Sequence, residues 1–247
     1  MAVHLFRDTG GEPNTWEVKL FAHISGSEEF LAQLAMEMPE LVDASMIYGE
    51  ARDRLKEVIL AISVEGLMPA FEHLKKIRAL SGEPIPELNR KQLYEDFTRV
   101  LWHSYKDLMQ KAAKMIEPGF GFLFQNEANF EAGLAEWEKT RPQMARAVAP
   151  YLVKQRIDWQ NDLSKFRNYL EHKDDTDPNV FASRYEPEHA EKVFEQVWRT
   201  IADILAMLVS LHLPPGVSLI EIPPGDRDTV RVRRFRYAVS GLAQPME

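Results

Sequence analysis

The stretch WQNDLSKFRNYLEH, from Trp159 to His172, decides the fold class. Its large apolar side chains recur at i, i+4, i+7 and i+11, and they are Trp159, Leu163, Phe166 and Leu170. Residues at this spacing lie in one stripe along an α-helix, while the polar residues between them face away from it. The stretch therefore predicts an amphipathic helix that packs against a protein core.

Helical spacing of this kind extends over most of the chain. A helix from about Gln143 leads into the opening stretch, and the other predicted helices run from Phe30 to Met38, Leu41 to Ile62, Phe71 to Leu80, Leu93 to Met115, Asn129 to Lys139 and Pro187 to Leu213. We expect Gly66 to interrupt the helical run before Pro69, because glycine and proline both weaken helices. The glycine-aromatic stretch from Pro118 to Phe124 predicts a loop packed on the core.

The two ends of the chain carry strand patterns instead. Apolar and polar residues alternate from Thr15 to Ile24, which predicts a half-buried strand, and His4 to Arg7 is a candidate hairpin partner. Two further strands are predicted near the C-terminus, from Val217 to Ile222 and from Thr229 to Val239, on either side of a proline-glycine turn.

Length and composition favour one folded domain. The chain has 247 residues, of which 45% are hydrophobic and 28% are charged, as in soluble globular proteins. We expect a mainly α protein in a single domain over 1–247, with a helical bundle over about 27–213. The N- and C-terminal strands, in 4–24 and 217–239, are expected to form a small antiparallel sheet beside it.

Charge and residue usage narrow the classes of function. The formal net charge is -8 at pH 7, so the protein as a whole repels polyanions, and contact with RNA requires a local basic surface. The chain has no cysteine, which excludes disulfides and cysteine-based zinc sites and is consistent with a cytoplasmic location. No apolar run is long enough to span a membrane, no cofactor motif is present, and nothing indicates a preference for a DNA sequence.

Three polar residues on the opening helix suit chemistry on a phosphate. Arg167 offers a fork of donors for phosphate, His172 can exchange a proton near neutral pH, and Asn168 can orient either group. Together they have the parts of a metal-independent ribonuclease, in which a base activates the ribose 2′-hydroxyl and a cation stabilises the phosphorane-like charge. Arg167 and His172 are five positions apart, roughly 140° around a regular helix, so they converge only at a helix end, at a distortion or across two subunits.

The segment Arg167-Asn168-Tyr169-Leu170-Glu171-His172 resembles the signature of the HEPN superfamily, an arginine, a following polar residue and a histidine five positions after the arginine. The resemblance implies a helical bundle, often a homodimer with the motifs apposed across the interface, and in active members metal-independent RNA cleavage in defence or toxin systems. It would make Arg167 and His172 catalytic and Asn168 a supporting residue. Other members of the superfamily are non-catalytic RNA-binding or protein-interaction modules.

A structural interpretation of the same residues stays open. Arg167 can pair with Glu171 at i, i+4, and His172 favours the negative end of its helix. In that case the chain is a non-catalytic helical module for protein interaction or dimerisation. An open basic cleft holding Arg167 and His172 together would favour RNA chemistry instead.

The polar loop after the motif has a pattern typical of another kind of site. Positions one, three, five, nine and twelve of an EF-hand-like calcium loop are filled by Asp175, Asp177, Asn179, Ser183 and Glu186. Val180 stands where the sharp turn needs glycine, and Pro178 stiffens the loop, so we favour a solvated acidic loop over 175–186 and expect no metal.

The last predicted strand is the candidate basic surface of an acidic protein. It interleaves two aromatic residues with four arginines, Arg231, Arg233, Arg234 and Arg236. Such a strand can bind phosphates while Phe235 or Tyr237 stacks on a base. It is equally consistent with a charge-protected edge strand whose arginines pair with nearby acids.

Overall fold

The computed structural model describes residues 4–7, 15–19, 29–79, 87–172, 178–227 and 233–240. The protein is mainly α with a small antiparallel sheet, as the sequence predicts. Its α-helical segments are α1 Glu29–Leu31, α2 Met38–Ala44, α3 Gly49–Ala61, α4 Met68–Ala79, α5 Glu87–His103, α6 Gln110–Ile116, α7 Glu127–Thr140, α8 Pro142–Gln155, α9 Asn161–His172 and α10 Pro187–Ser210.

In the part of the chain that the structure describes, four wider π-helical turns join some of these segments without ending the helix. They are π1 Ala32–Glu37, π2 Ile62–Leu67, π3 Ser104–Met109 and π4 Arg156–Gln160. Because of them, residues 29–44, 49–79, 87–116 and 142–172 are each helical throughout. The interruption predicted at Gly66 is therefore wrong, since Gly66 lies within π2 and the helix continues past it.

Two of the π turns directly precede a Met-Pro pair. The N–H of Met38 bonds the carbonyl of Gln33, and the N–H of Met68 bonds the carbonyl of Ser63, each five residues back. A proline has no N–H to donate, and its ring presses on the carbonyl four residues earlier. We attribute π1 and π2 to this crowding, because the wider turn lets the helix pass Pro39 and Pro69 without a break.

Among the described residues, the sheet has four antiparallel strands in the order β1-β2-β4-β3. These are β1 His4–Arg7, β2 Thr15–Lys19, β3 Val217–Glu221 and β4 Phe235–Val239. The predicted hairpin is confirmed, since His4 pairs with Lys19 and Arg7 with Trp16. The alternative of a charge-protected edge strand at the C-terminus is wrong about its position, because β4 lies between β2 and β3.

The contacts group the chain into two compact units. The first comprises Met1–Leu60 and Ala202–Glu247, and the second comprises Ala61–Ile201. The sequence predicted one domain in which the sheet is an appendage of the helices. In the structure the first helices and the end of α10 belong to the same unit as the sheet.

The core of the second unit includes the stripe predicted from the opening stretch. Trp159, Leu163, Phe166 and Leu170 are all buried. The stretch Pro118–Phe124 forms a 3₁₀ helix rather than an irregular loop, but the predicted packing is confirmed. Phe120 is buried there, with its ring edge-on to Trp137 at 5.1 Å between centroids.

Candidate functional site

The motif residues lie along the C-terminal half of α9. The buried stripe fixes this helix on its core side, and Asn168 is exposed while Arg167 is half-buried. Three buried side chains of α9, together with Trp159 of π4, leave this helix little freedom to rotate, so the polar residues are presented in a fixed direction.

The Arg167 guanidinium is bound by its own helix. Its Nη1 donates to Oδ1 of Asn168 at 3.1 Å, and its Nη2 lies 2.5 Å from Oε2 of Glu171. Its Nε is buried and has no hydrogen-bond partner among the described residues. The i, i+4 pair that the structural interpretation requires is therefore present, and a phosphate would have to replace Glu171 to use both terminal nitrogens.

His172 is the last residue of α9, and its side chain lies outside the described part of the structure. The helix is regular from Asn161 to His172, so positions 167 and 172 lie about 140° apart around its axis. No distortion of α9 brings the two positions to one face. Convergence would depend on the helix end at His172 or on a second subunit.

An aromatic cluster covers α9 next to the motif. The 3₁₀ helix Pro178–Tyr185 places Phe181 4.8 Å from the ring of Tyr169, between ring centroids. Tyr185 stands edge-on to Phe166 at 5.5 Å. Both tyrosines are half-buried. This cluster stabilises the α9 surface from which the motif projects.

A histidine, an arginine and an aspartate also meet near the N-terminal end of α9. Arg184 donates from Nε to Oδ2 of Asp162 at 3.1 Å, and its Nη2 bonds the second oxygen of the same carboxylate. Burial lowers the pKa of the nearby His189, although the Asp162 charge acts in the opposite direction. Sequence reasoning missed this group because Asp162 is 22 residues away from Arg184 and farther still from His189, so no local spacing links the three.

The predicted basic strand does not present a row of free arginines. Arg233 is buried, with 6% of its side chain exposed, and its Nη2 lies 3.3 Å from Oε2 of Glu40. Arg234 contacts Glu221 at 2.9 Å and Asp203 at 2.5 Å. Arg236 is half-buried, and Arg231 lies outside the described residues. Arg233 and Arg234 therefore pair with nearby acids, as the alternative interpretation predicts, and do not offer free side chains to phosphates.

The acids that bind this segment come from π1 and α2, in the helix over residues 29–44 of the first unit. The Glu37 carboxylate accepts the backbone N–H of Arg234 at 3.0 Å and that of Phe235 at 2.7 Å. Burial raises the pKa of Glu37 to about 7 and that of Glu40 to about 7, against the lowering effect of Arg233. Two acids on the buried side of an amphipathic helix were the sequence signal for this cluster.

The acidic loop gives no calcium site in the part that is described. Residues Pro178–Tyr185, which include Asn179 and Ser183, form a 3₁₀ helix, and Glu186 lies 3.7 Å from Arg90. Asp175 and Asp177 lie outside the described residues. Among those that are described, no three His, Asp or Glu side chains are grouped to hold a metal ion.

An open apolar groove runs between α7 and α8 and encloses about 630 Å³. It is lined by Leu134, Ala145, Ala149, Pro150, Val153 and Ile157. Charged side chains form its rim, and of these Lys154 pairs with Asp158 one helical turn away. Sequence reasoning did not single out this surface, since an exposed isoleucine is visible only once the fold is known.

Within the described residues, no helix has both the length and the apolar character needed to cross a membrane. Comparison of the chain with family models, with curated proteins and with solved structures finds no match.

Proposed function

We propose that the chain is a HEPN-like helical protein that binds RNA at the C-terminal end of α9, and that Arg167, Asn168 and His172 form its site. The observation that carries this proposal is the fixed position of Arg167, whose Nη1 is oriented by Asn168 on a helix held by four buried side chains. Arginine with a fixed orientation loses less freedom when it binds a phosphate.

The chemistry of cleavage follows from the residue types. His172 takes the proton of a ribose 2′-hydroxyl, and the resulting oxygen attacks the adjacent phosphorus. The bond from phosphorus to the 5′-oxygen breaks and leaves a 2′,3′-cyclic phosphate. The 5′-oxygen takes a proton from water, and the resulting hydroxide takes the proton that His172 holds. Arg167 stabilises the extra negative charge on the phosphate during this exchange. No metal ion is needed for any of these steps.

Glu171 controls access to Arg167 in this proposal. Its carboxylate holds Nη2 of Arg167, so a phosphate competes with it for the same donor. Replacing Glu171 with glutamine removes the competing charge and keeps the size of the side chain. We expect Glu171→Gln to bind RNA more tightly than the wild type, and equal or weaker binding would contradict this role.

The decisive experiment is RNA cleavage in the presence of a chelator, with binding measured in parallel. We expect His172→Ala and Arg167→Ala to lose about 100-fold or more in rate, the usual contribution of a proton-transfer group or a charge-stabilising group. Arg99→Ala is the matched control, because Arg99 forms the same kind of i, i+4 pair with Glu95 on α5. If the wild type is inactive, or if His172→Ala is equally active, the cleavage proposal is wrong.

A second function is favoured by a different observation. The apolar groove between α7 and α8 leaves Ile157 71% exposed and Val153 38% exposed. Large apolar side chains that share one groove are typical of a protein-binding surface. On this alternative the chain is a non-catalytic interaction module, and it would bind no RNA in the assay above.

A further inference from the structure

One side of the groove between α7 and α8 is the continuous helix formed by α8 and π4. This helix carries its apolar and charged residues in a regular order. Val153 and Ile157 are four positions apart, so they lie on the same face of the helix formed by α8 and π4. Lys154 and Asp158 each follow one of them by a single residue. The apolar pair and the charged pair therefore run side by side along the helix.

The order of Lys154 and Asp158 along the helix favours an ion pair between two helices over an ion pair within one. Lys154 and Asp158 contact each other within the chain, but the lysine precedes the aspartate. An i, i+4 pair is weaker in this order than with the acid first, because the helix dipole favours acids toward the N-terminus and bases toward the C-terminus. The side chains are also exposed enough to exchange partners at little cost.

The charges of this helix are complementary to those of a second copy that runs in the opposite direction. Around a two-fold axis near position 156, an antiparallel copy of the helix places Lys154 opposite the second copy's Asp158, and Asp158 opposite the second copy's Lys154. The same operation sets Val153 and Ile157 of one copy against the corresponding pair of the other. A two-fold interface needs this kind of self-complementary patch.

We propose that the occupant of the groove is a second copy of this chain, paired antiparallel along α8 and π4. Val153 and Ile157 of each copy fill the groove of the other, and two Lys154–Asp158 pairs form across the axis. Position 167 then lies opposite position 145 of the second copy, so this interface does not bring the two copies of the Arg167 motif together. The proposal is independent of RNA binding.

The first test is the mass of the full chain in solution over a concentration series, by sedimentation or light scattering. We expect twice the 28.5 kDa of one chain at high concentration. Ile157→Asp should raise the dimer dissociation constant by about 30-fold or more, the effect of losing a central apolar contact. Val64→Asp is the matched control, because Val64 is apolar, 53% exposed and outside the groove, and it should leave the constant unchanged.

The second test uses charge reversal. Lys154→Asp sets like charges against each other in both pairs across the axis, so the dissociation constant should rise. Adding Asp158→Lys to the same chain restores opposite charges across the axis, and it should restore the constant. The melting temperature of each variant is measured as well. A variant that loses the dimer but melts like the wild-type monomer has lost the interface and kept its fold.

Four results would overturn the proposal. A wild type that is monomeric at every concentration removes the second copy as occupant. A dimer that Ile157→Asp leaves intact uses another surface, and open-ended polymers exclude the two-fold arrangement. If the double reversal fails to restore the dimers that Lys154→Asp weakens, the antiparallel pairing is wrong. RNA binding by Ile157→Asp is measured alongside and should equal that of the wild type, because the proposed RNA site on α9 does not depend on this interface.

Discussion

Whether an arginine of this protein can bind a phosphate depends on which acids and amides already contact its guanidinium. Arg167 is bound by Asn168 and Glu171 from its own helix, whereas Arg233 is bound by Glu40 across 193 positions of sequence. The first pairing is visible from spacing and was anticipated as an alternative. The second was not, because no local pattern links residues so far apart. The number of arginines in a segment therefore does not give the positive charge available to a ligand, because acids elsewhere in the chain can already be paired with them.

Gly66 is a residue whose size the fold depends on. A Cβ at this position would lie 2.9 Å from the Cβ of Ser104, which is fully buried in π3. We expect Gly66→Ala to lower the free energy of unfolding by about 1–3 kcal/mol, since the crowding outweighs the gain in helix propensity of up to about 1 kcal/mol. The measurement is urea unfolding followed by circular dichroism.

Gly119 provides the control for this substitution. The nearest atom to a Cβ there is Oε1 of Glu117 at 3.7 Å, so alanine fits. Gly119→Ala should change stability by no more than about 0.5 kcal/mol. Adding Ser104→Gly to Gly66→Ala should recover part of the loss, and a Gly66→Ala protein as stable as the wild type would show that π2 and π3 are not in tight contact.

At the scale of helices and strands, the sequence predicts what periodicity can encode. The stripe from Trp159 to Leu170 is buried as expected, and the hairpin of β1 and β2 pairs as expected. The π turns were not predicted, because each one shifts the apolar stripe by a single residue and no residue type marks where the shift occurs. The central place of β4 was also missed, since strand order depends on which elements meet rather than on alternation within a strand.

The acids that bind the segment before β4 make the first unit sensitive to pH. The pKa of Glu37 is raised by burial from 4.5 to about 7, so the folded state holds a proton that the unfolded state releases between these two values. The stabilising effect of this proton is complete below pH 4.5 and is lost as the pH rises through 7. For Glu37 the difference is on the order of 3 kcal/mol.

We expect Glu37→Gln to flatten the fall in unfolding free energy between pH 5 and about pH 7, because glutamine does not titrate. The glutamine oxygen can still accept one of the two backbone N–H groups, so the segment keeps part of its support. The measurement is urea unfolding at several pH values. Glu50→Gln is the control, since Glu50 is exposed on α3 and should leave the pH profile unchanged. Identical profiles for the wild type and Glu37→Gln would contradict the assignment.

At the scale of the whole molecule, net charge limits how RNA can be bound. The chain carries a formal charge of -8, and the described arginines before and within β4 include two that are already paired with acids. A broad basic surface of the kind that wraps a long polyanion is therefore not expected. Binding at the end of α9 would rest on a few local contacts, and its dependence on salt reports their number.

We predict a shallow salt dependence if Arg167 is the main phosphate contact. Each phosphate neutralised on a single strand contributes about -0.7 to the slope of log K against log salt, so one contact gives a slope of about -0.7. Arg167→Ala should make the slope less negative by about 0.7 and weaken binding for every RNA sequence tested, because a phosphate contact does not read bases. The measurement is RNA affinity over a series of salt concentrations for the wild type, Arg167→Ala and the control Arg99→Ala. A wild-type slope near -4, or one that Arg167→Ala leaves unchanged, would mean that RNA is bound by a wider surface elsewhere on the protein, in spite of its negative charge.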